Sequence, residues 1–186
     1  MERTIKMNPD VFTDASSAIL LFKAGLLSLF LENYHLDLAR SVFRELTQPG
    51  YPGADTFLEL ENRVRDVAES DVPASWLEPA RSLDRGEKET IFLYAKTRHL
   101  PGKTNGFILV DDGPAARFCK TRDLAFINAL LVPKLLCFSG QMNETACQES
   151  MDRLCRLGRY SDRIIRLAHG FSRTDLEYFI RKNPHE

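Results

Sequence analysis

Hydrophobic residues in this chain fall into short continuous runs and longer stretches with helical spacing, and the two alternate. Val11-Phe12-Thr13 is an apolar run ending at Asp14 and predicts a first, buried strand. From about Ser16 to Asn33, Ile19, Leu20, Phe22, Leu26, Leu27 and Phe30 cover a broad apolar face; this predicts one helix, with Gly25 as a weak point inside it. Tyr34 to Asp37 predicts a short strand. Leu38 to Gln48 predicts an amphipathic helix stopped by Pro49-Gly50, and Asp55 to Glu69 a strongly charged third helix. Residues 72–79 carry two prolines around Trp76 and predict irregular backbone. A fourth helix is predicted from Asp84 to about Arg98, then a polar loop over 99–106. Phe107-Ile108-Leu109-Val110 is the clearest buried strand. Ala115 to Thr121 reads as a helix, Ala125 to Ile127 as a last short strand, and helices are predicted at 129–138, 143–157 and 161–169. Strands alternating with helices imply an α/β fold, a parallel sheet covered on both faces as an α/β/α sandwich. In such sheets the working residues sit at the carboxyl ends of the strands.

Composition narrows the function classes. A chain of 186 residues, 44% hydrophobic and 27% charged, can bury one full core, so a single domain over 1–186 is expected and wholesale disorder is not. The net charge of −1 gives no overall attraction for nucleic acid, so local cations would have to bind it. Two groups qualify: Arg117, Lys120 and Arg122 after the best strand, and Arg156, Arg159, Arg163 and Arg166 near the end. Cys119, Cys137, Cys147 and Cys155 form no C-x-x-C pair and have no paired histidines beside them, which speaks against zinc and for reduced thiols in a cytoplasm. Residues 1–10 lack the apolar core of a signal peptide. The longest apolar stretches are broken by Lys23, Ser28 and Glu32, or by Pro133 and Lys134, so no membrane span is expected.

The candidate chemistry is acidic. Asp14 ends the first predicted strand, where it suits either an N-cap or a ligand; Ser16 and Ser17 could cap in its place. Glu45 shares a helical stripe with Leu38 and Val42 and either flanks the core in solvent or needs a partner there. Glu87 completes a capping-box pattern with Asp84 and also leads the apolar face of Ile91 and Ala95, whereas Glu89 points elsewhere and is expected in solvent. Asp111 and Asp112 are adjacent at a buried strand end, where two carboxylates repel unless a cation or proton offsets the charge. Gly113-Pro114 after them is a fitting helix start. Carboxylates are hard oxygen ligands suited to Mg²⁺ or Mn²⁺.

Four segments resemble the motifs of PIN-domain nucleases, in order and spacing. Val-Phe-Thr-Asp14-Ala-Ser-Ser is similar to their opening strand and aspartate, and Val42-Phe-Arg-Glu45-Leu to their second motif. Leu83-Asp-Arg-Gly86-Glu87 resembles the Gly-Glu form of the third, and Ile108-Leu-Val-Asp111-Asp112-Gly-Pro-Ala-Ala-Arg117 the Asp-Asp-x-x-Ala-Arg form of the fourth. The resemblance extends through Asn128-Ala-Leu and Gly158-Arg-Tyr160 and is strongest over 10–169. It departs from the family at Val110, where many relatives carry threonine, and residues 50–82 match no motif. The resemblance implies a PIN-like fold and a metal-dependent endoribonuclease that cleaves single-stranded RNA by an activated water. It implies Asp14, Glu45, Glu87 and Asp112 as the catalytic acids and these four with Asp111 as holders of Mg²⁺ or Mn²⁺, the doubled aspartate leaving the main ligand of that pair open. Ser16, Arg117 and Asn128 are implied substrate contacts. Toxin-like prokaryotic members are paired with an antitoxin protein, and homodimers are common among relatives. The alternative is a catalytically weak PIN-like module that binds nucleic acid or protein. A haloacid-dehalogenase reading fails because Ser16 stands where a second aspartate is needed, and no receiver-type acid pair and lysine occur.

Overall fold

In the computed structural model, which describes residues 8–98 and 106–180, five strands form one parallel sheet: β1 (Asp10–Thr13), β2 (His35–Ala39), β3 (Val64–Arg65), β4 (Phe107–Leu109) and β5 (Phe126–Ile127). Their order across the sheet is β3-β2-β1-β4-β5, with Phe12 opposite Asp37 on one side and opposite Ile108 on the other. β1 and β4 are buried at every residue, as expected of central strands in a parallel sheet. Helices flank the sheet, an arrangement consistent with an α/β/α sandwich. Among them α6 (Arg85–Thr97) packs on β1, β2 and β4, α3 (Arg40–Leu46) on β2 and β3, and α11 (Arg173–Ile180) on β5. One hydrophobic cluster runs from Val11 to Leu176, with Phe30, Phe57, Phe92 and Phe107 among its largest members.

The predicted elements are recovered with four corrections. The stretch expected as one helix over 16–33 is two, α1 (Ala15–Lys23) and α2 (Leu27–Asn33), bent by 113°. Gly25 makes the break at φ +73°, a left-handed value that glycine adopts without a Cβ penalty. The bend lets Leu21, Leu27 and Phe30 all enter the core. The charged segment expected as one long helix is instead α4 (Ala54–Leu58), a single 3-10 turn, and the edge strand β3. Two residues with one buried side chain leave almost no period for a sequence pattern to show. Residues 72–79, expected irregular, contain the short helix α5 (Ala74–Leu77), and α11 was not anticipated. The loop expected over 99–106 falls, except for Gly106, outside the described residues.

Arg63 ties the missed edge to the sheet. Its guanidinium lies 3.0 Å from Asp10 Oδ1 and 3.2 Å from Asp37 Oδ2, so one cation is shared by two buried carboxylates on β1 and β2. At the other side of β1, Gly106 lets β4 begin. A Cβ there would stand 2.5 Å from the Asp10 carbonyl oxygen. That carbonyl belongs to strand backbone and cannot yield, so Gly106→Ala is expected to cost about 1–3 kcal/mol. Urea denaturation of the two proteins measures it; equal midpoints would contradict the close approach.

No single helix among the described residues is long and apolar enough to cross a membrane. The bent pair α1–α2 is apolar enough in sum, with Ala18, Leu21, Leu27 and Phe30 in the core and Ile19, Leu20, Phe22, Leu29 and Leu31 packed against it.

Candidate active site at the centre of the sheet

The sheet order places a crevice beside β1. The chain moves from β1 outward through β2 to β3, then returns to the opposite side of β1 with β4. Connections therefore leave the carboxyl ends of β1 and β4 in opposite directions, the arrangement in which α/β proteins hold ligands. Thr13 pairs with Leu109, so Asp14 and the Asp111-Asp112 pair emerge at nearly the same level.

A cavity of about 640 Å³ opens there and is lined by Asp14, Glu45, Glu87, Asp111 and Asp112, all five acids singled out in the sequence, together with Asp84. Two hydrogen bonds deliver the helical members. Thr90, one turn beyond Glu87, donates from Oγ1 to the Thr13 carbonyl at 3.0 Å and so fixes α6 against the end of β1. Glu89 accepts from the Ser41 N–H at 3.3 Å, which joins α6 to α3 and carries Glu45 to the rim. Glu89 is therefore a cross-helix cap, held also by Arg85 at 2.7 Å, and not the solvated residue expected. Glycine at 86 suits this junction, because a Cβ would sit 3.3 Å from Val42 Cγ2.

The acids are not equivalent. Asp14 caps α1: its Oδ1 accepts from Ser17 N–H at 2.8 Å and Ser16 Oγ at 3.1 Å. Capping thus falls to Asp14 itself rather than to the serines. Asp112 caps α7 (Gly113–Thr121), accepting from Ala115 N–H on Oδ2. Glu87 and Asp84 form the reciprocal capping box, with Asp84 N–H on Glu87 Oε2 and Glu87 N–H on Asp84 Oδ1. Each of Asp14, Asp112 and Glu87 thus holds the backbone at the start of a helix through one carboxylate oxygen. Glu45 is exposed at the rim.

Asp111 differs. Tyr160 Oη donates to its Oδ1 at 2.5 Å, Ser17 Oγ to Oδ2 at 2.7 Å, and Ala129 N–H reaches both oxygens at 3.3 and 3.2 Å. Both of its oxygens are engaged, so Asp111 is a hub joining α1, the turn at Ala129 and the loop between α9 (Glu144–Leu157) and α10 (Asp162–Gly170).

Burial and mutual repulsion disturb the charges. Burial pushes the Asp14 carboxyl up to about 6, with Asp111 adding to the rise and the Ser17 hydrogen bonds opposing it. Glu87 is raised to about 7, first by burial and then by Asp84, Asp112 and Asp14. Burial also raises Asp111, against the hydrogen bonds from Tyr160, Ser17 and Ala129. The Tyr160 phenol is pushed well above its ordinary value by burial and by the Asp111 charge, so it stays a donor.

Among the described residues no group of three or more Asp, Glu, His or Cys side chains is drawn close enough to hold a metal ion. The family and relative comparisons are equally silent. No family model, curated protein or solved structure matches the chain.

The remaining expected site residues divide. Ser16 is exposed and lines the acid cavity. Asn128 lines a neighbouring, more apolar groove of about 780 Å³, and its Oδ1 is buried with no hydrogen-bond partner among the described residues. Arg117 is exposed on α7 and lines neither space; its guanidinium lies near Gly113. Lys23 and Arg159 do line the acid cavity and supply its cations. Lys23 carries a signal in retrospect, since Ser16, Leu20 and Lys23 follow one helical stripe on α1. Tyr160 has none, because a loop phenol obeys no period. Of the four cysteines, all reduced, Cys119 and Cys147 are buried and Cys137 and Cys155 partly so.

Proposed function

We propose that this chain is a divalent-metal-dependent endoribonuclease of PIN-like architecture, acting on single-stranded RNA in the cavity at the ends of β1 and β4. One observation carries the proposal. Acids from four segments, spread from residue 14 to residue 112, line one cavity where the strand order reverses. The donor chemistry suits Mg²⁺ or Mn²⁺, which take hard oxygen ligands; Mg²⁺ in particular keeps several waters and uses one or two carboxylates, so spaced carboxylates suit it better than a closed cage. Bound there, such an ion supplies an activated water and screens charge on the phosphate.

The residues' own contributions follow from their placement. Asp14, Glu87 and Asp112 line the cavity while each also holds a helix start by a hydrogen bond to the backbone. The raised carboxyls of Asp14 and Glu87 mean that the cavity favours an incoming cation over bare charge. Lys23 and Arg159 would take phosphate oxygens from the rim. Antitoxin pairing, a homodimer and a cytoplasmic location belong to the same proposal, as implications of the family resemblance.

A second reading, a catalytically weak binding module, is favoured by the capping work of Asp14, Asp112 and Glu87, which would keep these acids for the fold alone. Metal dependence separates the two. Chelator-treated protein is expected to cleave a fluorophore–quencher single-stranded RNA only after Mg²⁺ or Mn²⁺ is restored, and calcium-free controls without either ion to stay flat. Cleavage that ignores chelator, or no cleavage with either ion, would transfer support to the second reading.

A further inference from the structure

The acid cavity and the apolar groove share one wall. Asp111, Gly113, Arg159 and Tyr160 line both spaces. The loop 158–160 therefore separates them, and its fixed point is the Tyr160 phenol. The ring folds back on its own chain: a Cβ at Gly158 would meet it at 2.3 Å. From there a continuous relay leads into the site. Tyr160 Oη donates to Asp111 Oδ1, Ser17 Oγ donates to Asp111 Oδ2, and Ser17 N–H donates to Asp14 Oδ1.

We propose that Tyr160 is a positioning residue for the acid cavity, clamping Asp111 and through Ser17 fixing Asp14, while holding the 158–160 wall in place. Its catalytic consequence rests on the nuclease reading; the clamp itself does not. Tyr160 touches no atom that would react. It acts by fixing Asp111 Oδ1, which the Ala129 N–H alone would otherwise hold at 3.3 Å. Outer-shell groups of this kind, which orient acids rather than bind, control affinity through geometry.

The test is Tyr160→Phe in the full chain, which deletes one oxygen and keeps the ring. In metal-free protein, amide hydrogen exchange over 158–170 and at 129–131 is expected to accelerate, with thermal stability falling only slightly. Mn²⁺ affinity by calorimetry is expected to fall about 10–100-fold. In cleavage assays kcat is expected to fall by a similar factor with KM unchanged, a split that general loosening of the fold would not produce. Unchanged exchange overturns the clamp. Faster exchange with wild-type Mn²⁺ affinity and kcat overturns the positioning role. If the wild type itself neither binds Mn²⁺ nor cleaves, the nuclease reading falls, and exchange alone decides for or against the clamp. Should Tyr160→Phe not fold, Ser17→Ala cuts the relay at its next link, where Mn²⁺ affinity and kcat are expected to fall likewise and wild-type values would overturn the positioning role.

Discussion

Asparagine in place of Asp14 is expected to lower kcat about 100-fold or more, as loss of a metal-orienting charge does, and yet to stabilise the metal-free protein above neutral pH. The two effects have one cause. Asp14 is 4% exposed, and burial is the main reason its carboxyl rises from 3.8 to about 6. A raised acid favours the protonated form in the folded state. Its contribution to stability is therefore whole below about pH 4 and lost as pH climbs through 6, up to about 3 kcal/mol for a shift of this size. Asparagine carries no charge to bury, and its amide oxygen can still accept from Ser17 N–H, so the cap survives. The gap in melting temperature between variant and wild type should open mainly between about pH 4 and 6, and so be smaller at pH 4.5 than at pH 8. Glu87, raised to about 7, lowers stability with rising pH in both proteins and so largely cancels from the gap. Melting curves in chelator at pH 4.5 and pH 8, with cleavage rates in Mn²⁺, measure both halves. An asparagine variant that is less stable at pH 8, or that cleaves like wild type, would mean that the charge serves the fold and not a ligand.

The same balance explains what the sequence made legible. Long apolar periods announced β1, α6 and β4 because burying one face of an element leaves a mark at every turn or alternate residue. The acids at strand ends were legible for a related reason: Asp14 and Asp111 follow continuous apolar runs, and few other positions put charge so near the core. What escaped lies where pattern is absent. β3 has two residues. The turn at Gly25 depends on one dihedral angle that a helical stripe passes over. The cross-helix cap from Glu89 to Ser41 and the clamp from Tyr160 to Asp111 join residues 48 and 49 positions apart, and no local rule links such pairs. Capping and lining the cavity are not alternatives at Asp14, Glu87 and Asp112: each residue does both.

Asp111 is expected to respond to substitution in the opposite way from Asp14, and the choice of replacement should decide the sign. Alanine there strands three donors: the Tyr160 hydroxyl, the Ser17 hydroxyl and the Ala129 N–H. It also relieves the repulsion on Asp14. The second effect is the smaller, since Asp111 ranks behind burial and both Ser17 hydrogen bonds among the causes acting on Asp14. Loss of the hub should therefore win, costing about 2–4 kcal/mol after allowance for partial exposure. Asparagine keeps the shape and one acceptor, to which one of the two hydroxyls still donates while the other rotates to accept from its amide N–H; it also removes the charge. Asp111→Asn is thus expected within about 1 kcal/mol of wild type in stability, although it reverses one hydrogen bond of the relay. Chemical denaturation at pH 7.5 distinguishes the pair. Equal, small losses for both variants would show that Asp111 acts mainly as charge, whereas a large loss confined to alanine is what a hydrogen-bonded hub requires.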